Sequence, residues 1–224
     1  MRRKRDILRR SLAALAMIAL GLSSCGQDQI DWPSGDGGTC GAECGSWYPR
    51  PDATGKGKAY RIEKDYVAAC LVWQKALRGD DQTYLSLGEL YLKATREKNA
   101  AKTLLIFVSA RNCPQCKTLA EAINARKDEF DAAGAVMVAG AASDIQDPSV
   151  HLTLDEADRL LIEEGWPKDW YRINDEEKFL EKFYNPAPWI IVIDLSRMKV
   201  LEASWDRFTA DNVDDLLNFL ETGR

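Results

Sequence analysis

The stretch TLLIFVSARNCPQCKTLAEAI, Thr103 to Ile123, decides the fold. Leu104 to Val108 is an unbroken apolar run of strand length, the pattern of a strand buried on both faces of a sheet. Shortly after it, Cys113 and Cys116 bracket Pro114-Gln115, and Leu119, Ile123 and then Phe130 recur at inward-facing helical positions. Two cysteines so placed carry chemistry. A helix N-terminus offers partial positive charge and free N–H groups, which favour the thiolate at Cys113. Cys116 lies one turn on, where it can attack a mixed disulfide and release a partner. The pair also reads as an inert structural disulfide, or as half of a metal site. Zinc takes four ligands as a rule, and the only histidine, His151, falls in a predicted loop after Pro148.

Working outward, Ala135–Ala139 predicts a second strand. Thr153-Leu154-Asp155-Glu156 is a capping box for a helix with Leu154, Ala157, Leu160 and Leu161 inward, stopped at Gly165. Asp175–Phe183 predicts a short helix burying Phe179, Leu180 and Phe183. Trp189–Ile193 predicts a strand that pairs with Met198–Ser204 through a turn at Asp194–Arg197. A last helix starts at Thr209, with Val213, Leu216, Leu217 and Leu220 at core spacing. Upstream, Tyr66–Trp73 suits a buried strand and Thr83–Lys98 one short helix. Alternating strands and helices argue for an α/β layered domain.

The Cys113-Pro114-Gln115-Cys116 segment, taken with the later YNPAPWIIVID from Tyr184, resembles the thioredoxin superfamily. The likeness is greatest to its membrane-tethered (TlpA/ResA-like) redoxin branch and covers about residues 85–222. It implies a thioredoxin-like fold, a central mixed sheet flanked by helices. It also implies a thiol–disulfide exchange centre with Cys113 as nucleophile and Cys116 as resolving thiol. In that family a proline with a cis peptide bond lies against the cysteine pair and aligns the incoming chain. Pro188 matches it, and Pro186 is the alternative. No dissociable cofactor is implied. The chain departs from the family in three places. Asn112 stands where a tryptophan is usual, Phe107 where a buried acid is usual, and Pro114-Gln115 where reducing members carry Gly-Pro. Because that dipeptide helps set redox poise, the direction of electron flow is open.

The N-terminus reads as an export signal. Arg2, Arg3, Lys4, Arg5, Arg9 and Arg10 precede an apolar run from Leu12 to Leu22, too short for a permanent span. Leu22-Ser23-Ser24-Cys25 resembles the bacterial lipobox, which implies cleavage after Ser24 and a lipid on Cys25. An ordinary cleavage site with a coincidental cysteine is the plainer alternative. Gly26 follows in place of a retention aspartate, so the outer membrane is expected over the inner, with the domain facing the periplasm. Removing residues 1–24 leaves 24 of 30 basic and 34 of 35 acidic residues, a net charge near −10. Such a chain is a poor nucleic-acid binder, and it has no basic patch with which to grip lipid. The expected division is a signal peptide at 1–24, an anchor and flexible tether at 25–39, an extension at 40–84 and the thioredoxin-like domain at 85–224.

Cys40, Cys44 and Cys70 remain. An oxidising compartment favours one bridge among them, Cys40–Cys44 or Cys44–Cys70, and Cys70 also suits a small core residue. A zinc site of Cys40, Cys44, Cys113 and Cys116 would use four cysteines but disable the redox pair. Seven tryptophans is a high count for 224 residues. Trp166 and Trp170 are candidates for an apolar platform near the pair, or for packing under a loop. The expected function is a lipid-anchored, monomeric thiol–disulfide oxidoreductase acting on exported proteins with cysteines or disulfides, apocytochromes among them. The alternative is a non-catalytic surface lipoprotein that binds partners through the same fold. A peroxidase is disfavoured because Ile106 and Ala110 occupy the places of its proline and hydroxyl residue.

Overall fold

The computed structural model describes residues 47–49, 61–147, 149–176, 179–180 and 187–222. The expected membrane anchor Cys25, its signal and tether, Cys40, Cys44 and Pro186 lie outside them. No helix among the described residues is long and apolar enough to cross a membrane.

Seven strands form one mixed sheet: β1 (Val72–Arg78), β2 (Asp81–Ser86), β3 (Thr103–Arg111), β4 (Ala135–Asp144), β5 (Tyr171–Ile173), β6 (Trp189–Asp194) and β7 (Lys199–Ser204). Their spatial order is β2-β1-β5-β4-β3-β6-β7, with β3 parallel to β4, β4 parallel to β5, and every other pair antiparallel. The helices are α1 (Leu87–Arg96), α2 (Pro114–Asn124), α3 (Lys127–Ala132), α4 (Leu154–Glu164) and α5 (Val213–Thr222), the last entered through a 3-10 turn at Ala210–Asn212.

Strand alternation divides the core between two layers. From β3, Leu104, Ile106 and Val108 face a cluster completed by α1 and the segment before β1. Leu105 and Phe107 face Leu119, Ala120 and Ile123 of α2, Leu161 of α4 and Leu216 of α5. A mixed sheet covered on both faces, with a β3-α2-β4 unit beside the β6-β7 hairpin, is the thioredoxin-like arrangement expected.

Three local expectations are corrected. The apolar run from Tyr66 is not a strand along its length. Val67 bridges Lys199, the Ala68 N–H donates to the Met198 carbonyl, and Tyr48 Oη donates to the carbonyls of Ala68 and Ala69. The segment therefore covers the sheet from β7 toward β1, and only Val72 and Trp73 join a strand. The helix expected over 83–98 begins at Leu87, because pairing with β1 takes Asp81–Ser86 and the Ser86 side chain then caps the helix at the Glu89 N–H. No helix forms over the described part of 175–183. Asp175 there accepts from Trp73 Nε1 at 2.8 Å and from the N–H groups of Phe179 and Leu180, folding the chain into a turn. The sheet also takes in β5, too short a strand for its pattern to announce.

Candidate active site

The Cys113–Cys116 pair is built by the end of one strand and the start of one helix. A register shift between Ser109 and Arg111 breaks the β3–β4 pairing as β3 ends. Asn112 then turns the chain with φ 63°, a region asparagine tolerates better than most side chains, and its Nδ2 donates to Asp144 Oδ2 at 2.7 Å. That conformation is a physical reason for asparagine where a tryptophan was usual. The Gln146 N–H, followed by Asn112 and Arg111, holds the Asp144 carboxyl below the usual carboxylate range.

Cys113 is the N-cap of α2, with Pro114 at the start of the helix. Its Sγ accepts from the Cys116 N–H at 3.2 Å, so the sulfur sits at the positive end of the helix. The two cysteines form a disulfide with Cα atoms 5.3 Å apart. Cys116 is wholly buried, whereas Cys113 keeps 5 % of its surface exposed, so an attacking group reaches the Cys113 sulfur first. Ala110, Ala187 and Ile145 pack around the pair. Ala187 is joined to Pro188 by a cis peptide bond, so the proline segment lies against the cysteines.

The other sequence candidates separate. Trp166 and Trp170 are buried, packed on Phe107 with ring centroids 4.8 and 6.0 Å away, so they belong to the core and form no open platform. His151 is exposed, and the described residues hold no group of three or more His, Cys, Asp or Glu placed to bind a metal. Cys70 is buried and disulfide-bonded, with its partner outside the described residues.

A further titratable group, Glu164, stands behind the strand end that carries the pair. Glu164 is buried at the end of α4, and its Oε2 accepts from Ser109 Oγ at 2.6 Å and from Trp166 Nε1 at 3.0 Å. Ser109 stands on the strand end that delivers Cys113. The sequence signal was an acid seven residues after Ala157 and three after Leu161, on the helix's inward stripe. Burial pushes the carboxyl up to about 7, against the two hydrogen bonds.

Because the folded value exceeds the ordinary 4.5, the fold binds the proton more tightly than the unfolded chain does. Stability from this group is full below the ordinary value and is lost as pH rises through about 7. Glu164→Gln, which holds the neutral form at every pH, is therefore expected to flatten the profile. The parent should lose on the order of 2 kcal/mol relative to the variant between pH 5 and pH 8. Urea unfolding at the two pH values measures it, and parallel profiles would rule the assignment out.

No family model and no curated protein sequence matches the chain. Solved structures do resemble it. Thioredoxin peroxidase I of Plasmodium yoelii superposes with a TM-score of 0.47 at 14% identity, covering 69% of this chain and 88% of the other. The MTB dsbF structure gives 0.45 at 14%, covering 66% and 95%. A thiol:disulfide interchange protein from Bacteroides sp. gives 0.45 at 13%, covering 66% and 88%.

Proposed function

We propose that the chain is a thiol–disulfide oxidoreductase of the membrane-tethered redoxin kind, held to the bacterial cell envelope by a lipid on Cys25. Its clients are exported proteins with cysteines or disulfides. The observation that carries the reading is a disulfide whose outer sulfur sits at a helix N-cap, beside a cis proline, with the second sulfur buried behind it.

In the oxidising direction a client thiolate attacks Cys113 Sγ. The Cys113–Cys116 bond breaks, a client–Cys113 disulfide forms, and Cys116 leaves as a thiolate that takes up a proton. A second client thiol, on losing its proton, attacks the client sulfur and expels Cys113, so two electrons pass to the protein. The reducing direction is the reverse, with Cys113 as nucleophile and Cys116 resolving. The helix N-terminus stabilises the Cys113 thiolate in both. Pro188 is the residue that aligns the client.

Cys116→Ser tests the reading in cells. Without the resolving thiol, Cys113 is expected to keep clients as mixed disulfides that migrate as reductant-sensitive adducts. The second reading is a binding module that retains the fold. It is favoured by Phe107, whose ring fills the α2-facing side of β3 where the family's buried acid was expected. An adduct-free Cys116→Ser protein, together with a parent that exchanges with no small disulfide, would establish that second reading.

A further inference from the structure

The turn that delivers Cys113 is held from the neighbouring strand. Arg111 and Asp144, the last residues of β3 and β4, are partners across the sheet. From there the Asp144 carboxylate reaches both chains. Its Oδ1 accepts from the Gln146 N–H at 2.8 Å, closing the turn that follows β4, and its Oδ2 accepts from Asn112 Nδ2 at 2.7 Å. The Ile145 N–H donates to the Arg111 carbonyl at 3.0 Å, so the peptide that enters Asn112 is fixed as well. Asn112 is the last residue before the cysteine, and its φ of 63° lies in the left-handed region that L side chains rarely occupy. Rotation to an ordinary negative φ would turn the chain elsewhere. Cys113 Sγ would then leave the Cys116 N–H that it meets at 3.2 Å.

Resting on the oxidoreductase reading, we infer that Asp144 is a positioning residue for thiol–disulfide exchange. By holding the Asn112 side chain it keeps Cys113 at the N-cap of α2, where the helix N-terminus stabilises the thiolate. Position and charge oppose each other here. A carboxylate near the cysteine disfavours a thiolate, whereas the cap that this carboxylate maintains favours one. The other charged groups at the corner decide between them. Arg111 acts on Asp144 and also pairs with Glu156 of α4 at 3.5 Å, Lys117 of α2 pairs with Glu121, and Asp147 follows in the loop after β4. Arg111 thus offsets the Asp144 charge, and the water that reaches this partly exposed residue screens it further. The hydrogen bond to Asn112 is left as the larger influence.

The test uses the full-length chain carrying Cys116→Ser, so that Cys113 has no resolving partner. Iodoacetamide alkylates the Cys113 thiolate with loss of iodide, and mass spectrometry of the tryptic peptide 112–117 follows that one cysteine across pH. Asp144→Ala is expected to raise the midpoint of the profile and to slow alkylation about fivefold at a pH below it, the usual worth of a helix cap. Asp144→Asn keeps an oxygen facing Asn112 without the charge and should restore most of the rate. Glycine takes a positive φ unaided, so on an Asn112→Gly background Asp144→Ala should cost less than about twofold. An unchanged or lowered midpoint in Asp144→Ala overturns the inference, because the carboxylate then acts by charge or not at all. So does a fivefold loss that persists on the glycine background, because Asp144 then does not act through Asn112. A chain with both cysteines that exchanges with no small disulfide overturns the oxidoreductase reading, and the positioning role with it.

Discussion

Cys113→Ser is expected to reduce thiol–disulfide exchange to the uncatalysed background, whichever direction is assayed, while leaving the fold intact. The expectation follows from unequal access. Cys113 holds all the exposed surface of the pair, and Cys116 lies beneath it against Ala110 and Ala187. A serine hydroxyl at position 113 can still accept from the Cys116 N–H and cap α2, so the loss falls on chemistry and not on the helix. The buried Cys116 thiol that remains cannot be reached by a folded or extended client. Cys116→Ser should behave differently. It keeps the first step and loses the second, giving a burst of mixed disulfide and no turnover. The measurement is the rate at which purified variants exchange with dithiothreitol and a protein disulfide, alongside circular dichroism to verify folding. A Cys113→Ser protein that retains the parent rate would end the catalytic reading of the pair.

Two interior strands of the sheet and the paired cysteines were legible because their signals are local. Leu104–Val108 and Ile190–Ile193 are buried on both faces, so their patterns depend little on context, and they lie in the adjacent strands β3 and β6. The capping box at Thr153 and the stop at Gly165, with φ 99°, were equally local. Tyr66–Trp73 misled for the reason that short apolar runs do: burial alone does not say whether a segment lies in a sheet or beneath it. The acidic sequence at Asp175 suits a helix start, but its side chain goes to Trp73, 102 positions away, a partner no pattern reveals. Glu164 shows the same limit at the candidate site. Its helical stripe was visible, whereas its contact with Ser109, 55 positions away, needed the fold.

Arg172→Ala is expected to cost about 3 kcal/mol of stability, the largest single loss outside the hydrophobic core. Arg172 lies on β5, between β1 and β4, and is almost wholly buried. A guanidinium removed from water must recover its hydration through bonds, and this one does. Its Nε donates to Asp158 of α4, Nη1 to the carbonyls of Lys168 and Trp170, and Nη2 to the Gly79 carbonyl at 2.8 Å. One side chain thus fastens the β1–β2 turn, the α4–β5 loop and α4 to the middle of the sheet. Alanine leaves a cavity and three carbonyls without these donors, each a cost in its own right. The Asp158 carboxylate is partly exposed and can hydrate, which keeps the loss near the lower end for a broken buried pair. Arg172→Met separates the two contributions, since it refills the volume without supplying donors and should recover about a third of the loss. Asp158→Asn should cost well under half as much, because the carbonyl bonds survive it. For a chain of this size the alanine variant should melt roughly 6–12 °C below the parent. A shift of only a degree or two would mean that water replaces the guanidinium, and that the sheet does not depend on this knot.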